Sequence, residues 1–332
     1  VSELRRDPIS GSWVVLSRER GLRPSDFTPR FSKTEASFCP FCPGSEDATP
    51  PELLALRAPD APADVGRWTV RAFPNRFPAL RVEGELERTA EGPYDRVSGI
   101  GAHEVIVETV RHDETLADLG LPALGEVLWA WRERILDLGR DLRLAHVQIF
   151  KNHGPEAGAT ILHEHSQVIA LPVVPRDVAL EREEQQAWFG RKERCLTCDI
   201  VRHERRDGER LVFENARYAV LCPWAPLSPF VLWIVPKGHS SHFEAIERHE
   251  LESLAEALRL ALRKLDKALE RPAYNFALHS GPLRGAASPS LHWRLEVAPT
   301  LTVPGGFERG TGSWLNSTPP EEAAAFLRKV RE

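Results

Sequence analysis

Apolar positions along the chain recur with two periods, and each predicts its own kind of element. Leu124, Leu128, Trp131, Ile135 and Leu138 follow one another at steps of four and three, the signature of an amphipathic helix. Leu251, Leu254, Leu258, Leu262, Leu265 and Leu269 mark a second, more strongly amphipathic helix. Alternating or continuous apolar runs predict strands at 68–73, 104–108, 145–151, 160–171, 211–213, 218–222, 230–235, 274–279 and 291–297. The opening Arg6-Asp7-Pro8-Ile9-Ser10-Gly11-Ser12 reads as a turn, followed by a short strand from Trp13. The Pro- and Arg-containing stretch before Phe38 reads as a loop. Residues 45–66 read as a loop with a short helix, and residues 84–99 as an exposed loop.

The order of these features occurs twice. Each half starts with C-x-x-C (Cys39/Cys42, then Cys195/Cys198). A histidine, a Leu-rich helix, a strand, a Gly-containing turn and a His-bearing strand then follow. The interval from His112 to His163 is nearly that from His239 to His292. Agreement of order and spacing over several elements points to a duplication rather than to two unrelated α+β units. The expected fold is therefore α+β, with two tandem halves at 1–175 and 176–332. Each half should carry an antiparallel sheet and one packed amphipathic helix.

Composition narrows the chemistry. A chain that is 42% hydrophobic and 27% charged has the balance of a soluble globular protein. A net charge of −5 gives no basic footprint for nucleic acid. No apolar run approaches a bilayer span, and Val1 to Arg6 lacks the apolar core of a signal peptide, so the chain reads as cytoplasmic. In that reducing compartment, paired cysteines indicate metal or redox chemistry rather than disulfides.

Zinc favours four soft or borderline ligands in a tetrahedron. Two thiols per C-x-x-C leave two ligands to find, and each half has two histidines at matching places. The assignment is Cys39, Cys42, His112 and His163 for one site, and Cys195, Cys198, His239 and His292 for the other. His242 is an alternative to His239. A thioredoxin-like C-x-x-C or one joint site of both cysteine pairs accounts for less, because neither uses the distant histidines.

The stretch Leu162-His163-Glu164-His165-Ser166-Gln167 sits in the apolar run 160–171. On a strand, His163, His165 and Gln167 share one face. A single histidine in such a strand is usually a satisfied core residue. Three polar groups side by side would each need a buried partner, which favours a functional site. With His163 given to metal, His165 remains as a nucleophile toward phosphorus, and Gln167 can donate an amide N–H to a phosphoryl oxygen. The turn 152–160 just before it has glycines that allow close backbone approach, and its N–H groups could cradle phosphate. Walker and Rossmann fingerprints are missing.

These motifs resemble the galactose-1-phosphate uridylyltransferase family of the histidine-triad superfamily, with features of its relative ADP-glucose phosphorylase. The resemblance spans essentially the whole chain. It rests on Asp7-Pro8-Ile9-Ser10-Gly11-Ser12-Trp13-Val14, Cys39-Pro40-Phe41-Cys42-Pro43-Gly44, Pro74-Asn75-Arg76-Phe77-Pro78-Ala79-Leu80, the His112 segment, and Phe150-Lys151-Asn152 through His163-Glu164-His165-Ser166-Gln167. It implies two histidine-triad-like halves and a ping-pong reaction. His165 would take a nucleoside monophosphate from a nucleotide-sugar and pass it to a sugar phosphate, or to phosphate. Asn75 would lie in the nucleotide pocket. Asn152, Thr160 and Gln167 would contact the phosphates, with Gly158 in the same turn. The family pattern also implies a homodimer.

Two departures point toward the ADP-glucose relative. Some uridylyltransferases build a second, iron-type site from a Glu and three His, with an H-x-H on the strand read here at 291–297. This chain has His292-Trp293-Arg294 there, and offers Cys195 and Cys198 instead. Its segment Gly305 to Asn316 lacks the acidic residue that uridylyltransferases set against the hexose. The expected activity is galactose-1-phosphate uridylyltransfer from UDP-glucose. The alternatives are AMP transfer from ADP-glucose to phosphate, a nucleotide-sugar hydrolase, or a non-catalytic zinc-stabilised nucleotide-binding module.

Overall fold

A computed structural model describes residues 2–17, 38–57 and 60–331. The Pro- and Arg-containing stretch before Phe38, expected to be a loop, lies outside the described residues. Among the described residues the dominant feature is a ten-stranded antiparallel sheet. A small sheet joins β1 (Glu3–Arg6), β2 (Trp13–Leu16) and the C-terminal β15 (Trp314–Asn316). The first part of the chain gives the large sheet β3 (Leu54–Arg57), β4 (Trp68–Pro74), β7 (Ala102–Val107), β8 (His146–His153) and β9 (His165–Leu171). The second gives β10 (Leu211–Glu214), β11 (Tyr218–Leu221), β12 (Leu232–Pro236), β13 (Tyr274–His279) and β14 (Arg294–Pro299).

The strand order is β10-β11-β12-β14-β13-β8-β9-β7-β4-β3. Read inward from either edge, the sequence of strands is the same. The two sets meet where β8 pairs with β13, from His153 opposite Tyr274 to Phe150 opposite Ala277. The strands of the two halves therefore form one continuous sheet rather than two separate ones.

Helices α1 (Leu121–Leu138) and α4 (Leu251–Ala268) lie against each other on one face of this sheet. The predicted stripe of α1 is buried throughout, as are Leu251, Leu254, Leu258, Leu262 and Leu265 of α4. Burying each such side chain stabilises the fold by about 1.5–3 kcal/mol. Strand alternation decides what meets the helices. Ser166, Val168 and Ala170 of β9 point toward α1, and the Ser166 Oγ accepts a hydrogen bond from Trp131 Nε1 at 2.9 Å. His165 and Gln167 consequently point to the opposite face. Arg134 of α1 makes a buried fork to Glu104 of β7, with contacts of 2.7 and 2.8 Å.

The opposite face is covered unequally. Over the second half lie α2 (Arg176–Lys192) and α3 (Leu196–Asp207). There Leu196 and Val201 pack with Ile9 of the N-terminal turn and with Ala219, Leu221, Trp233 and Val235 of the sheet. Over the first half, Phe41 of the first C-x-x-C packs with Trp68, Phe73, Val105 and Val107. The last helices are α5 (Gly306–Thr311) and α6 (Pro320–Lys329), and α6 packs on α4.

Three expectations are corrected. Residues 45–66 hold a 3-10 turn at Glu46–Ala48 and the edge strand β3, whose short Leu54/Leu56 alternation is masked by the Pro- and Ala-rich context. Residues 84–99 carry the hairpin β5 (Arg88–Glu91) and β6 (Tyr94–Val97). Its two faces are both largely solvated, so no apolar alternation marks it. His163 precedes β9, which starts at His165, just as His292 precedes β14 at Arg294.

Candidate active site and metal centres

Each C-x-x-C folds toward the two histidines assigned to it. Cys39, Cys42, His112 and His163 bring their ligand atoms within 4.8 Å of one another, and Cys195, Cys198, His239 and His292 do the same. Tetrahedral zinc with its usual bond lengths sets a sulfur-to-nitrogen edge of about 3.6 Å. In the first cluster the His163 Nδ1 lies 3.6 and 3.5 Å from the Cys39 and Cys42 sulfurs, and the His112 Nδ1 lies 3.6 Å from Cys42. In the second the corresponding distances are 3.8, 3.3 and 3.5 Å. The histidine rings cross at 88° in one cluster and 86° in the other.

The far ring nitrogens complete the case. His163 Nε2–H donates to the Thr109 carbonyl at 2.8 Å, and His239 Nε2–H donates to the Ser288 carbonyl at 3.0 Å. A carbonyl only accepts, so each Nδ1 keeps its lone pair for the centre of the cluster. His242 is engaged elsewhere, with Ser241 Oγ and the Pro282 carbonyl, and stays outside the cluster. The donor set and spacing, with the tautomer of one histidine in each cluster, fit a tetrahedral metal ion at both places.

His165 is held by the same logic. Its Nδ1–H donates to the His163 carbonyl at 2.8 Å, which leaves the lone pair on Nε2. Burial, and then the Lys151 charge, push its pKa down to about 4, so the ring is neutral at physiological pH. Phe41 packs edge-on against it with ring centroids 5.2 Å apart. A neutral imidazole with a fixed Nε2 lone pair can act as a nucleophile.

A cleft of about 390 Å³ opens beside this histidine. His112, Asn152, His153, His163 and His165 line it, together with Arg271 from the loop between α4 and β13. Asn152 is fixed from the second half, because Asn275 Nδ2 donates to its Oδ1 at 2.8 Å. Its own amide N–H groups are thereby directed away from Asn275. Gly158, at φ +93°, packs beside that amide, in a conformation that favours glycine. Gly158 and Thr160 are exposed in the turn and do not line the cleft. Gln167 and Asn75 also lie outside it. Both meet His103, at 2.9 Å from Gln167 Oε1 and 3.2 Å from Asn75 Nδ2.

Sequence reasoning found no partner for His103 and gave no role to Glu108, Lys151, His153 or Glu164. These last four form a buried network at the start of β9. Lys151 pairs with Glu108 and Glu164, and its Nζ donates to the His165 carbonyl at 3.0 Å. His153 meets Glu164 Oε1 at 2.6 Å and stacks on Tyr274. Burial pushes the Glu164 carboxyl up, but the charges of Lys151 and His153 outweigh it and hold the group at about 2. The sequence signal was an unusual density of charge inside an apolar run, and only the strand pairing shows which charges meet.

The place equivalent to His165 in the second half holds Arg294, which is buried and paired with Glu181 of α2 at 2.8 Å. Glu181 also meets His279 at 3.2 Å. Only about 20 Å³ of space remains there.

The sequence profile described as "Galactose-1-phosphate uridyl transferase, N-terminal domain" matches residues 1–175. An ADP-glucose phosphorylase of Arabidopsis thaliana is 35% identical over 99% of this chain and 93% of its own length. A galactose-1-phosphate uridylyltransferase of Thermotoga maritima is 28% identical over 99% of this chain and 98% of its own. Among solved structures, the Arabidopsis ADP-glucose phosphorylase with bound ADP-glucose aligns with a TM-score of 0.84 at 32% identity, covering 100% of this chain and 99% of that one. A uridylyltransferase structure aligns with a TM-score of 0.77 at 29% identity, over 99% of this chain and 97% of that one. The chain belongs to the galactose-1-phosphate uridylyltransferase family, a family of nucleotidyltransferases.

Proposed function

We propose that this protein moves a nucleoside monophosphate from a nucleotide-sugar to a phosphate acceptor through His165. Its family activity is uridylyl transfer from UDP-glucose to galactose 1-phosphate. The observation that carries the chemistry is the fixed tautomer of His165, whose free Nε2 lone pair belongs to a side chain lining a cleft. In the first half-reaction Nε2 attacks the α-phosphorus, an N–P bond forms, and the P–O bond to the leaving sugar 1-phosphate breaks. In the second, an acceptor phosphate oxygen attacks the same phosphorus and the N–P bond breaks. Gln167 and Asn152 donate amide N–H groups to the phosphoryl oxygens as charge develops on them. In this reading Asn75, beyond the cleft beside His165, belongs to the nucleotide pocket, and Gly158 and Thr160 shape the phosphate turn without lining the cleft.

Both clusters take zinc in this reading. The thiols of the second suit zinc better than the iron-type alternative. Zinc at the first cluster would fix His163, and with it the carbonyl that sets the His165 tautomer. The strand order, the same read from either edge, supports two tandem histidine-triad-like halves at 1–175 and 176–332, with the catalytic copy first. A cytoplasmic homodimer completes the proposal, and no described helix is long and apolar enough to cross a membrane.

A second reading, AMP transfer from ADP-glucose to phosphate, is favoured by the Cys195/Cys198 cluster and by the likeness to the Arabidopsis phosphorylase. Incubation with UDP-glucose or ADP-glucose labelled at the α-phosphate tests both. Label retained on the protein supports transfer, and the donor that labels faster identifies the base. Turnover of either donor without retained label would support a hydrolase instead. Binding with neither label nor turnover would leave a nucleotide-binding module.

A further inference from the structure

We infer that His103 is a positioning residue that fixes which end of the Gln167 amide faces the reacting phosphate. The inference rests on the role proposed for Gln167. An amide presents a donor at one end and an acceptor at the other, and the two ends have nearly the same shape. Turned the wrong way, Gln167 would set its oxygen lone pairs against a phosphoryl oxygen and repel it. Some neighbour must therefore choose the orientation.

His103 is that neighbour. It lies on β7, diagonal to Gln167 on β9, because His103 pairs with Ile169 and Val105 pairs with Gln167. The backbone N–H of Ala79 points at His103 Nδ1 at 3.2 Å. That group can only donate, so Nδ1 carries the lone pair, and in the neutral ring the proton sits on Nε2. Nε2–H then donates to Gln167 Oε1 at 2.9 Å. With Oε1 engaged, the Gln167 Nε2 amide is left to turn its two N–H groups to a ligand. Among the described residues these N–H groups meet no protein acceptor.

The third contact is set by a different group. Asn75 Oδ1 accepts the Phe77 N–H at 2.9 Å, which turns Asn75 Nδ2 toward His103 Nε2 at 3.2 Å. Two donors meet there, so that contact is not a hydrogen bond, and the Asn75 amide is oriented by Phe77 rather than by His103. The same proton on the other ring nitrogen would face the Ala79 N–H and would leave Gln167 free to flip.

The test is the rate at which the protein takes up label from α-phosphate-labelled nucleotide-sugar, with zinc content and melting temperature as controls for folding. His103→Ala and His103→Leu should each slow labelling about tenfold, the scale of one misdirected hydrogen bond. His103→Gln carries an amide N–H near the position of Nε2 and should restore most of the rate, which a packing role would not do. In a Gln167→Ala background, His103→Ala should cost less than twofold more, because the group it orients is gone. Full additivity of the two substitutions, or a His103→Gln no faster than His103→Leu, overturns the inference. Labelling of His103→Ala at the wild-type rate overturns it while leaving the transfer reading intact. A wild-type protein that takes no label from either donor overturns both.

Discussion

The two halves of this molecule share a strand order and a Cys2His2 cluster, yet they differ at one strand position. After His163 the chain places His165 beside a cleft of about 390 Å³. After His292 it places Arg294 under helix α2, where Glu181 neutralises it and about 20 Å³ remains. A Cys2His2 frame thus occurs both with and without a histidine two places further on. Among the described residues, the first half leaves a cleft beside β9 on its outer face, while α2 and α3 spend the same face of the second half on packing. In the proposed reading the cluster positions the strand, and the residue two places later, together with what covers it, decides the chemistry.

That contrast can be broken in graded ways. The largest effect should come from His165→Ala, which should lower labelling on the order of 10⁴-fold or more while both clusters retain metal. Loss of metal together with labelling would instead mean that His163 and His165 have exchanged roles. Arg294→His is the complementary test. It should gain no second labelled site, since α2 fills the space a nucleotide would need. A second label there would show that residue identity, not covering, silences the second half.

Removing one thiol from each cluster should separate their duties. Cys42→Ser and Cys198→Ser should each lower bound zinc, from about two ions per chain to about one. Labelling should fall sharply only for Cys42→Ser, whose cluster holds His163. Equal loss of labelling in both would mean that the second cluster also supports the catalytic strand.

Lys151→Met should be costly, because it strands Glu108 and Glu164 in the interior. A loss of about 3–5 kcal/mol is expected in denaturant unfolding. An unchanged midpoint would mean that those carboxylates are not both charged in the folded protein.

The smallest effect concerns pH. Burial pushes the Glu181 carboxyl up, but Arg294 and His279 outweigh it and hold it below its ordinary 4.5. A lowered folded-state value stabilises the protein above the unfolded value, and that stability is lost as pH falls below 4.5. Melting temperatures measured from neutral to acid pH should therefore fall less steeply for Glu181→Gln than for the parent. Parallel curves would show that the ion pair adds nothing to the sealing of the second half.

Much of this was legible in the chain because it is local. The stripes of α1 and α4, the paired C-x-x-C motifs and the spacing of His163 and His165 are periodicities or short patterns, and the structure brings each assigned metal quartet together. What was not legible depends on pairing across strands. His103 has no local sign of purpose, since its partners Asn75, Ala79 and Gln167 come from other segments. Lys151, Glu108 and Glu164 are charges in apolar runs, and only the β7-β9-β8 register turns them into one network. Helix α2 escaped notice because it is polar nearly all round, with Gln185 its only buried residue. It was nonetheless the element that closed one half and so defined the other.

The central proposal is that one histidine, in the first of two similar Cys2His2 frames, carries the nucleotidyl group. Its most direct test is the site and stoichiometry of covalent label after brief exposure to α-phosphate-labelled ADP-glucose or UDP-glucose, read by intact mass and peptide mapping. The account predicts one nucleoside monophosphate per chain, on His165. No retained label, or label on any residue of the second half, would contradict it.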